Sequence, residues 1–300
     1  MTASNRQHRT ITGRVESWLG LLPALLLGLL GVAAAGCAAG PADEAAGSGA
    51  PADAASTDAT TSGGSDQAPL PAGKVRSLPL VERAIDFQGR DAIESSTISL
   101  RIGSKSGSFR IDAQPGDLFD YWVYTEQDGS DVVYHHTNVA GETIEKLVDG
   151  QPVELVGERE QQRARDFVSQ RVYFPFLPYR LRDPSVYLED LGTETWDGEE
   201  LRKVKVTFQP GTSSGADDSY LYWFDPETAE MRQFAYSFGG GLRLRKMKNA
   251  RRVGGIWFAD ADNYAKAGDG LSVDEISPES VADWELLSTV VVDEITVEPR

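Results

Sequence analysis

Few residues in this chain are of a type that does chemistry, and their spacing is poor for it. Cys37 is the only cysteine, which excludes an internal disulfide and any site built on several thiolates. After residue 36, histidine occurs only at His135 and His136; neighbours on an extended strand point to opposite faces, so the two do not converge on one metal ion. The chain has no H-E-x-x-H pair and no glycine-rich phosphate loop opening a helix, and its G-x-S-x-G spacing at Gly211 to Gly215 sits in an expected hairpin loop, not at a strand-to-helix elbow. Carboxylates remain, since two facing acids can hydrolyse a glycoside. Asp217 and Asp218 follow Gly211-Thr212-Ser213-Ser214-Gly215 and read as a solvated hairpin loop. Asp260 and Asp262 share a strand face and could hold a cation, although two surface acids are ordinary on a chain of net charge −17. The Lys203/Lys205 and Arg243/Arg245 pairs could meet an anionic headgroup, with neighbouring acids as the expected partners. The expectation is therefore no catalytic residue, no metal and no cofactor.

The aromatic residues are more informative. Trp122, Tyr124, Tyr134, Phe174, Phe176, Trp223, Phe234, Tyr236 and Phe258 fall on expected strands or at a helix end. Most belong to a core. If the fold leaves a hollow, Trp122, Trp223, Phe234 and Tyr236 are expected to line it, with Phe174, Phe176 and Leu177 in a lid running to Pro178. Two prolines fix the backbone there, and these three side chains are too close in sequence to share one helical stripe. At least one must face an open edge, an exposure that calls for something to cover it.

Period-two alternation dominates the segments that would position these residues. Ile98, Leu100 and Ile102 alternate with Ser99 and Arg101; Val204, Val206 and Phe208 with Lys203, Lys205 and Thr207; Phe234, Tyr236 and Phe238 with Ala235 and Ser237; Leu242 and Leu244 with Arg243 and Arg245. Phe109 and Ile111 flank Arg110, and further strands are expected at 118–125, 130–137, 143–149, 186–195, 218–225, 253–260 and 289–297. Joints such as Asp225-Pro226-Glu227-Thr228 and Gly239-Gly240-Gly241 point to antiparallel hairpins with one apolar and one polar face. Helices are expected at 158–174, with Ala164, Phe167, Val168 and Val172 on one stripe, at about 79–87, and at 278–286. About ten strands at roughly 4.8 Å spacing make a sheet near 50 Å wide, whereas each helix covers about 10 Å. The sheet must curl around its helices, and a curled sheet with few helices either encloses a hollow or packs it with aromatics.

The N-terminus carries an address. Arg6, Arg9 and Arg14 precede an apolar run from Leu19 to Ala35, the order of a secretory signal. The run is near the short limit for a helix spanning a ~30 Å hydrocarbon core. It ends in Ala34-Ala35-Gly36-Cys37, which resembles the lipobox of bacterial lipoproteins. That resemblance implies a signal peptide over residues 1–36, cleavage before Cys37 and acylation of its sulfur. Several acyl chains at about 0.8 kcal/mol per buried CH2 give a stable anchor in a lipid membrane. Ala38 follows the cysteine in place of an acidic residue that would retain the protein at the inner membrane, so the expected location is the outer membrane, on its periplasmic face. Residues 37–75 are rich in Ala, Gly, Ser, Thr, Pro and Asp and read as a disordered tether reaching roughly 30–35 Å. Residues 76–300 read as one domain. The acidic balance excludes nucleic acid as a partner.

A second resemblance lies inside the domain. The run Val172-Tyr173-Phe174-Pro175-Phe176-Leu177-Pro178-Tyr179-Arg180-Leu181-Arg182-Asp183-Pro184 is similar to a motif of an uncharacterised family of bacterial lipoproteins. Val204 to Phe208, Asp218 to Asp225 with Trp223, Ala235-Tyr236-Ser237 and the Arg243/Arg245 strand resemble the same pattern. The resemblance implies a fold like that of the periplasmic lipoprotein carriers and their outer-membrane receptor (LolA/LolB-like), a mainly β (α+β) architecture in which a large curled antiparallel sheet or half-open barrel is covered by a few helices. Three readings stand open: a non-enzymatic, membrane-anchored module binding an acyl chain or other hydrophobic ligand; an envelope lipoprotein with a filled core acting by its surface; and a carboxylate-dependent hydrolase.

Overall fold

A computed structural model describes residues 70–209, 219–238, 241–265 and 272–300 of the 300-residue chain. The signal segment, Cys37, most of the tether and the Asp217/Asp218 pair lie outside the described residues. Residue Val75, at the end of the expected tether, makes a β-bridge to Leu188.

The strands are β1 (Ser96–Ser104), β2 (Gly107–Gln114), β3 (Asp120–Gln127), β4 (Ser130–Thr137), β5 (Thr143–Val148), β6 (Gln151–Val153), β7 (Val186–Trp196), β8 (Glu199–Phe208), β9 (Tyr220–Phe224), β10 (Met231–Phe238), β11 (Gly241–Val253), β12 (Ile256–Ala265) and β13 (Glu285–Pro299). The helices are α1 (Pro79–Gln88), α2 (Arg90–Glu94) and α3 (Glu158–Tyr173). All thirteen strands form one antiparallel sheet in the order β6-β5-β4-β3-β2-β1-β13-β12-β11-β10-β9-β8-β7. Two meanders are thus joined where β13 pairs with β1. The meanders follow from local turn chemistry: Asp128-Gly129, Asp149-Gly150, Asp197-Gly198 and Gly254-Gly255 all have positive φ at both positions, the backbone that tight two-residue hairpins require.

This order puts β6 and β7, consecutive in sequence, at opposite edges of the sheet. The connection between them must cross the whole sheet. Thirteen strands laid flat would span ~60 Å, while the 16 residues of α3 cover ~24 Å and the 3-10 turns that follow add little more. The edges must therefore approach each other, and the sheet curls without closing. Register shifts at Ser99/Arg101, Asp190/Thr193, Met231/Gln233, Lys248/Arg251 and Asn263/Tyr264 supply local bends.

The concave face is the main core. Ile98, Leu100, Ile102, Ile111, Val123, Val204 and Val206 point into it and are buried. Helix α3 lies over β3–β5 through Ala164, Val168 and Val172, with Phe167 against Tyr134 at 4.4 Å between ring centroids. Helices α1 and α2 cover β12 and β1, meeting at Gly89 (φ 112°), where a Cβ would lie 2.6 Å from the carbonyl oxygen of Gly255.

Three expectations are corrected. The β1–β5 half has the anticipated polar outer face, but the β7–β12 half is buried on both faces: Trp196, Leu201, Leu221, Trp223, Leu242 and Leu244 form a second core with Val273, Ile276 and Trp284. The segment 278–286 is not a helix; Ser277 and Ser280 exchange backbone-to-hydroxyl bonds in a turn that delivers Trp284 to this second core, and β13 begins at Glu285. The strand expected at 253–260 is interrupted by the Gly254-Gly255 turn, so β12 starts at Ile256.

Candidate functional site

The antiparallel register decides which aromatic residues share a face. Phe234 pairs with Tyr222 on one side and Arg245 on the other; Tyr236 pairs with Tyr220 and Arg243. All six side chains therefore rise from the concave face. With Phe224 the four aromatic ones make a row of rings standing nearly parallel: Tyr222 lies 5.6 Å from Phe234 at 15°, Tyr220 5.5 Å from Tyr236 at 18°, and Phe234 5.9 Å from Tyr236 at 21°. Phe208 closes one side edge-on against Tyr220 at 5.6 Å.

Burial is graded along this row. Phe224, Tyr222 and Phe234 are buried, whereas Tyr220, Tyr236 and Phe208 are half-buried. The roof is the crossing segment. Phe174, the first residue of a 3-10 turn (Phe174–Phe176), is half-buried with its ring 6.2 Å from that of Phe234; Tyr173 lies 6.2 Å from Tyr220. The Tyr173 hydroxyl is 3.4 Å from that of Tyr222, and burial pushes its pKa up to about 12, so this contact stays neutral at physiological pH. Gln88 anchors the roof from below: its amide accepts from Tyr179 N at 2.7 Å and donates to the Pro175 carbonyl at 3.4 Å. The face is thus a row of packed aromatic rings, buried at Phe224, Tyr222 and Phe234 and half-buried at Tyr220, Tyr236 and Phe208, with Tyr173 and Phe174 lying against it.

Of the residues expected to line a hollow, Phe174, Phe234 and Tyr236 meet here. Phe176 and Leu177 are core residues beneath it, at 0% and 1% exposure. Trp223 points to the opposite face, where its indole donates to Glu194 Oε2 at 2.6 Å within the second core. Trp122 is also outside, stacked on His135 at 3.8 Å, with the His135 ring 2.6 Å from Asp120. The physical reason is strand parity: Tyr220, Tyr222 and Phe224 take the concave face, which leaves Leu221 and Trp223 on the other. Tyr173, Phe208, Tyr220 and Tyr222 are the residues of this face that the sequence reading did not single out. The hairpin register, had it been fixed by Asp225 to Thr228, would have found the last two.

The candidate acids are engaged structurally. Asp260 is buried and accepts from Val292 N at 3.0 Å, Asn249 at 2.9 Å and Arg251 at 3.3 Å, while Asp262 pairs with Lys248 at 2.6 Å. Neither is left for a cation, and among the described residues no group of three or more His, Cys, Asp or Glu could hold a metal ion. His135 and His136 take opposite faces, as strand geometry requires; His136 turns inward to Glu142 at 3.0 Å, with burial lowering its pKa. Lys203 and Lys205 find the acids expected of them, Glu194 and Asp274. Arg245 differs: its guanidinium lies over Phe174, Phe234 and Tyr236 at 4.9, 5.7 and 5.5 Å, with no carboxylate partner among the described residues. No helix among the described residues is long and apolar enough to cross a membrane.

Comparison with solved structures finds similar chains at low sequence identity. A Vibrio parahaemolyticus domain described as part of an outer-membrane lipoprotein-sorting protein is 11% identical, with 72% of this chain and 93% of that one covered and a TM-score of 0.41. A LolA superfamily protein from Nitrosomonas europaea is 11% identical over 74% of this chain and 92% of its own, TM-score 0.41. The Mycobacterium tuberculosis lipoprotein LppX is 20% identical over 55% and 92%, TM-score 0.26. No curated protein matches the sequence. A family of unknown function, DUF6503, matches residues 120–276, a span that runs from β3 through the crossing segment and the strands of the aromatic row. The chain belongs to the DUF6503 family.

Proposed function

We propose that this protein is a non-enzymatic lipoprotein, tethered through acyl chains on Cys37, that holds an acyl chain or similar apolar group in a groove between Tyr173-Phe174 and the β8–β11 face. The observation that carries the reading is the burial gradient: the aromatic row is packed at Phe224 and half-buried at Tyr220 and Tyr236, under a roof that the topology forces across the sheet mouth. Large aromatic side chains left half-covered on a concave face cost solvation that an apolar occupant relieves. The anchor would keep the groove near a lipid surface, on the periplasmic face of the outer membrane. The acidic chain makes nucleic acid an unsuitable partner.

A second reading, a filled-core interaction lipoprotein, is favoured by the complete burial of Phe176 and Tyr222, which leaves the inner end without room. The two readings separate on one experiment. Full-length protein purified from its native envelope in mild detergent and analysed by denaturing mass spectrometry should release a co-purifying lipid in near-stoichiometric amount, besides its own covalent chains. Repeated recovery of empty protein would favour the filled core.

A further inference from the structure

Among the arginines that lie over aromatic rings with a buried, unpartnered Nε are Arg171, over Phe109 and Phe167 and bonded to the Phe167 carbonyl, and Arg245, which has no such carbonyl among the described residues. Arg245 rises from β11 on the concave face, half-buried, and among the described residues its guanidinium lies over the π-faces of Phe174, Phe234 and Tyr236. Several cations of this acidic protein are matched by acids: Arg90 with Glu82, Arg101 with Asp293, Lys205 with Asp274, Lys246 with Asp197. Among the described residues, no acid pairs with Arg245. Its Nε is buried without a hydrogen-bond partner, and so is Oδ1 of Asn263, the residue directly across on β12. Arg243 follows two positions earlier on the same face, beside Tyr236 and half-buried. Burial lowers the Arg243 pKa, as does the neighbouring Arg245 charge, opposed by Tyr236. The partly desolvated Arg245 guanidinium at the half-buried end of the aromatic row is an arrangement that an anion relieves.

Resting on the proposed apolar-ligand function, we infer that the ligand is an anionic single-chain amphiphile, whose chain lies along the half-buried Phe174, Phe208, Tyr220 and Tyr236 and whose carboxylate or phosphate is received by Arg245. Asn263, directly across on β12, supplies a neutral polar neighbour. A guanidinium can present two parallel N–H donors to such a headgroup, which a neutral alcohol or ester does not exploit.

The test uses 11-(dansylamino)undecanoic acid and its methyl ester, titrated into the detergent-free mature chain with Cys37→Ser to remove the anchor. The acid should bind at least tenfold more tightly than the ester. Arg245→Gln should bring the acid down to the level of the ester, Arg245→Lys should retain part of the preference, and Arg110→Gln, an equal loss of charge on the outer face, should leave the preference intact. Inorganic phosphate at millimolar concentration should not displace the acid; displacement, with acid and ester otherwise equal, would indicate a free-anion site and overturn the inference. Equal binding of acid and ester to the unsubstituted groove also overturns it while leaving the apolar-ligand function standing, and this comparison does not depend on any arginine variant folding. Failure of both probes to bind overturns both.

Discussion

Phe174 and Phe176 are two residues apart in one turn, yet the account assigns them different work, and their alanine variants should differ accordingly. Phe176 is fully buried beneath the groove, so Phe176→Ala removes a packed ring and leaves a cavity, a loss of about 3–5 kcal/mol. For a domain of this size each kcal/mol moves Tm by about 2–4 °C, which gives a fall of roughly 6–20 °C. Phe174 is half-buried and touches Phe234 and Arg245 at the groove roof. Truncating it forfeits part of the burial of one ring and a cation–π contact, about 1–2 kcal/mol together, or roughly 2–8 °C. Differential scanning calorimetry on the soluble domain reads both shifts. The acyl probe should bind Phe174→Ala several-fold more weakly, because the residue covers the bound chain. A loss of stability at Phe174 equal to that at Phe176, with probe binding unaltered, would show that Phe174 is ordinary core and refute the roof.

Other perturbations test other parts of the account. Glu194 accepts both the Trp196 and Trp223 indoles, at 2.7 and 2.6 Å, and pairs with Lys203, so Glu194→Ala should cost about 2–4 kcal/mol in chemical denaturation and alter the near-ultraviolet dichroism of the tryptophans without changing probe affinity. Asp225 is held below the ordinary carboxylate pKa by the backbone N–H of Thr228, then of Glu227, against partial burial. Because the unfolded chain then takes up the proton more readily, this contribution is present above about pH 4 and lost as pH falls below it; Asp225→Asn should narrow the Tm difference between pH 7 and pH 3. Cys37→Ser should abolish incorporation of labelled palmitate and release the protein from the membrane fraction, and persistence of either would rule out the anchor.

The strands, the α1 and α3 helices and the hairpin order were legible because alternation and turn residues are local signals. Lys203 to Phe208 reads as a strand whatever it pairs with. What stayed hidden was which face is which in β9. Tyr220, Leu221, Tyr222, Trp223 and Phe224 are apolar throughout because both faces are covered, so alternation carries no parity there. The sequence alone therefore does not separate Trp223, which joins the second core, from Tyr222, which joins the concave face. Trp122 misled for another: its outward neighbours Asp120 and His135 accommodate an indole on a polar face, a local arrangement that a large aromatic residue does not advertise. The crossing segment was found by its prolines and crowded aromatics, but its necessity comes from sheet order, which no local pattern contains. An acidic chain predicts acids as the partners of its strand cations; Lys203 and Lys205 follow that rule, and Arg245 lies on rings instead.

The central claim is that an acyl chain occupies the concave aromatic groove, and photo-crosslinking reads occupancy directly. A fatty acid carrying a mid-chain diazirine, irradiated with the intact protein and mapped by peptide mass spectrometry, should label the peptides bearing Tyr173-Phe174, Tyr220-Tyr222 and Phe234-Tyr236, with labelling suppressed by excess unmodified palmitate. Labelling confined to the outer face around Trp122 and His135, or scattered and insensitive to competitor, would contradict it.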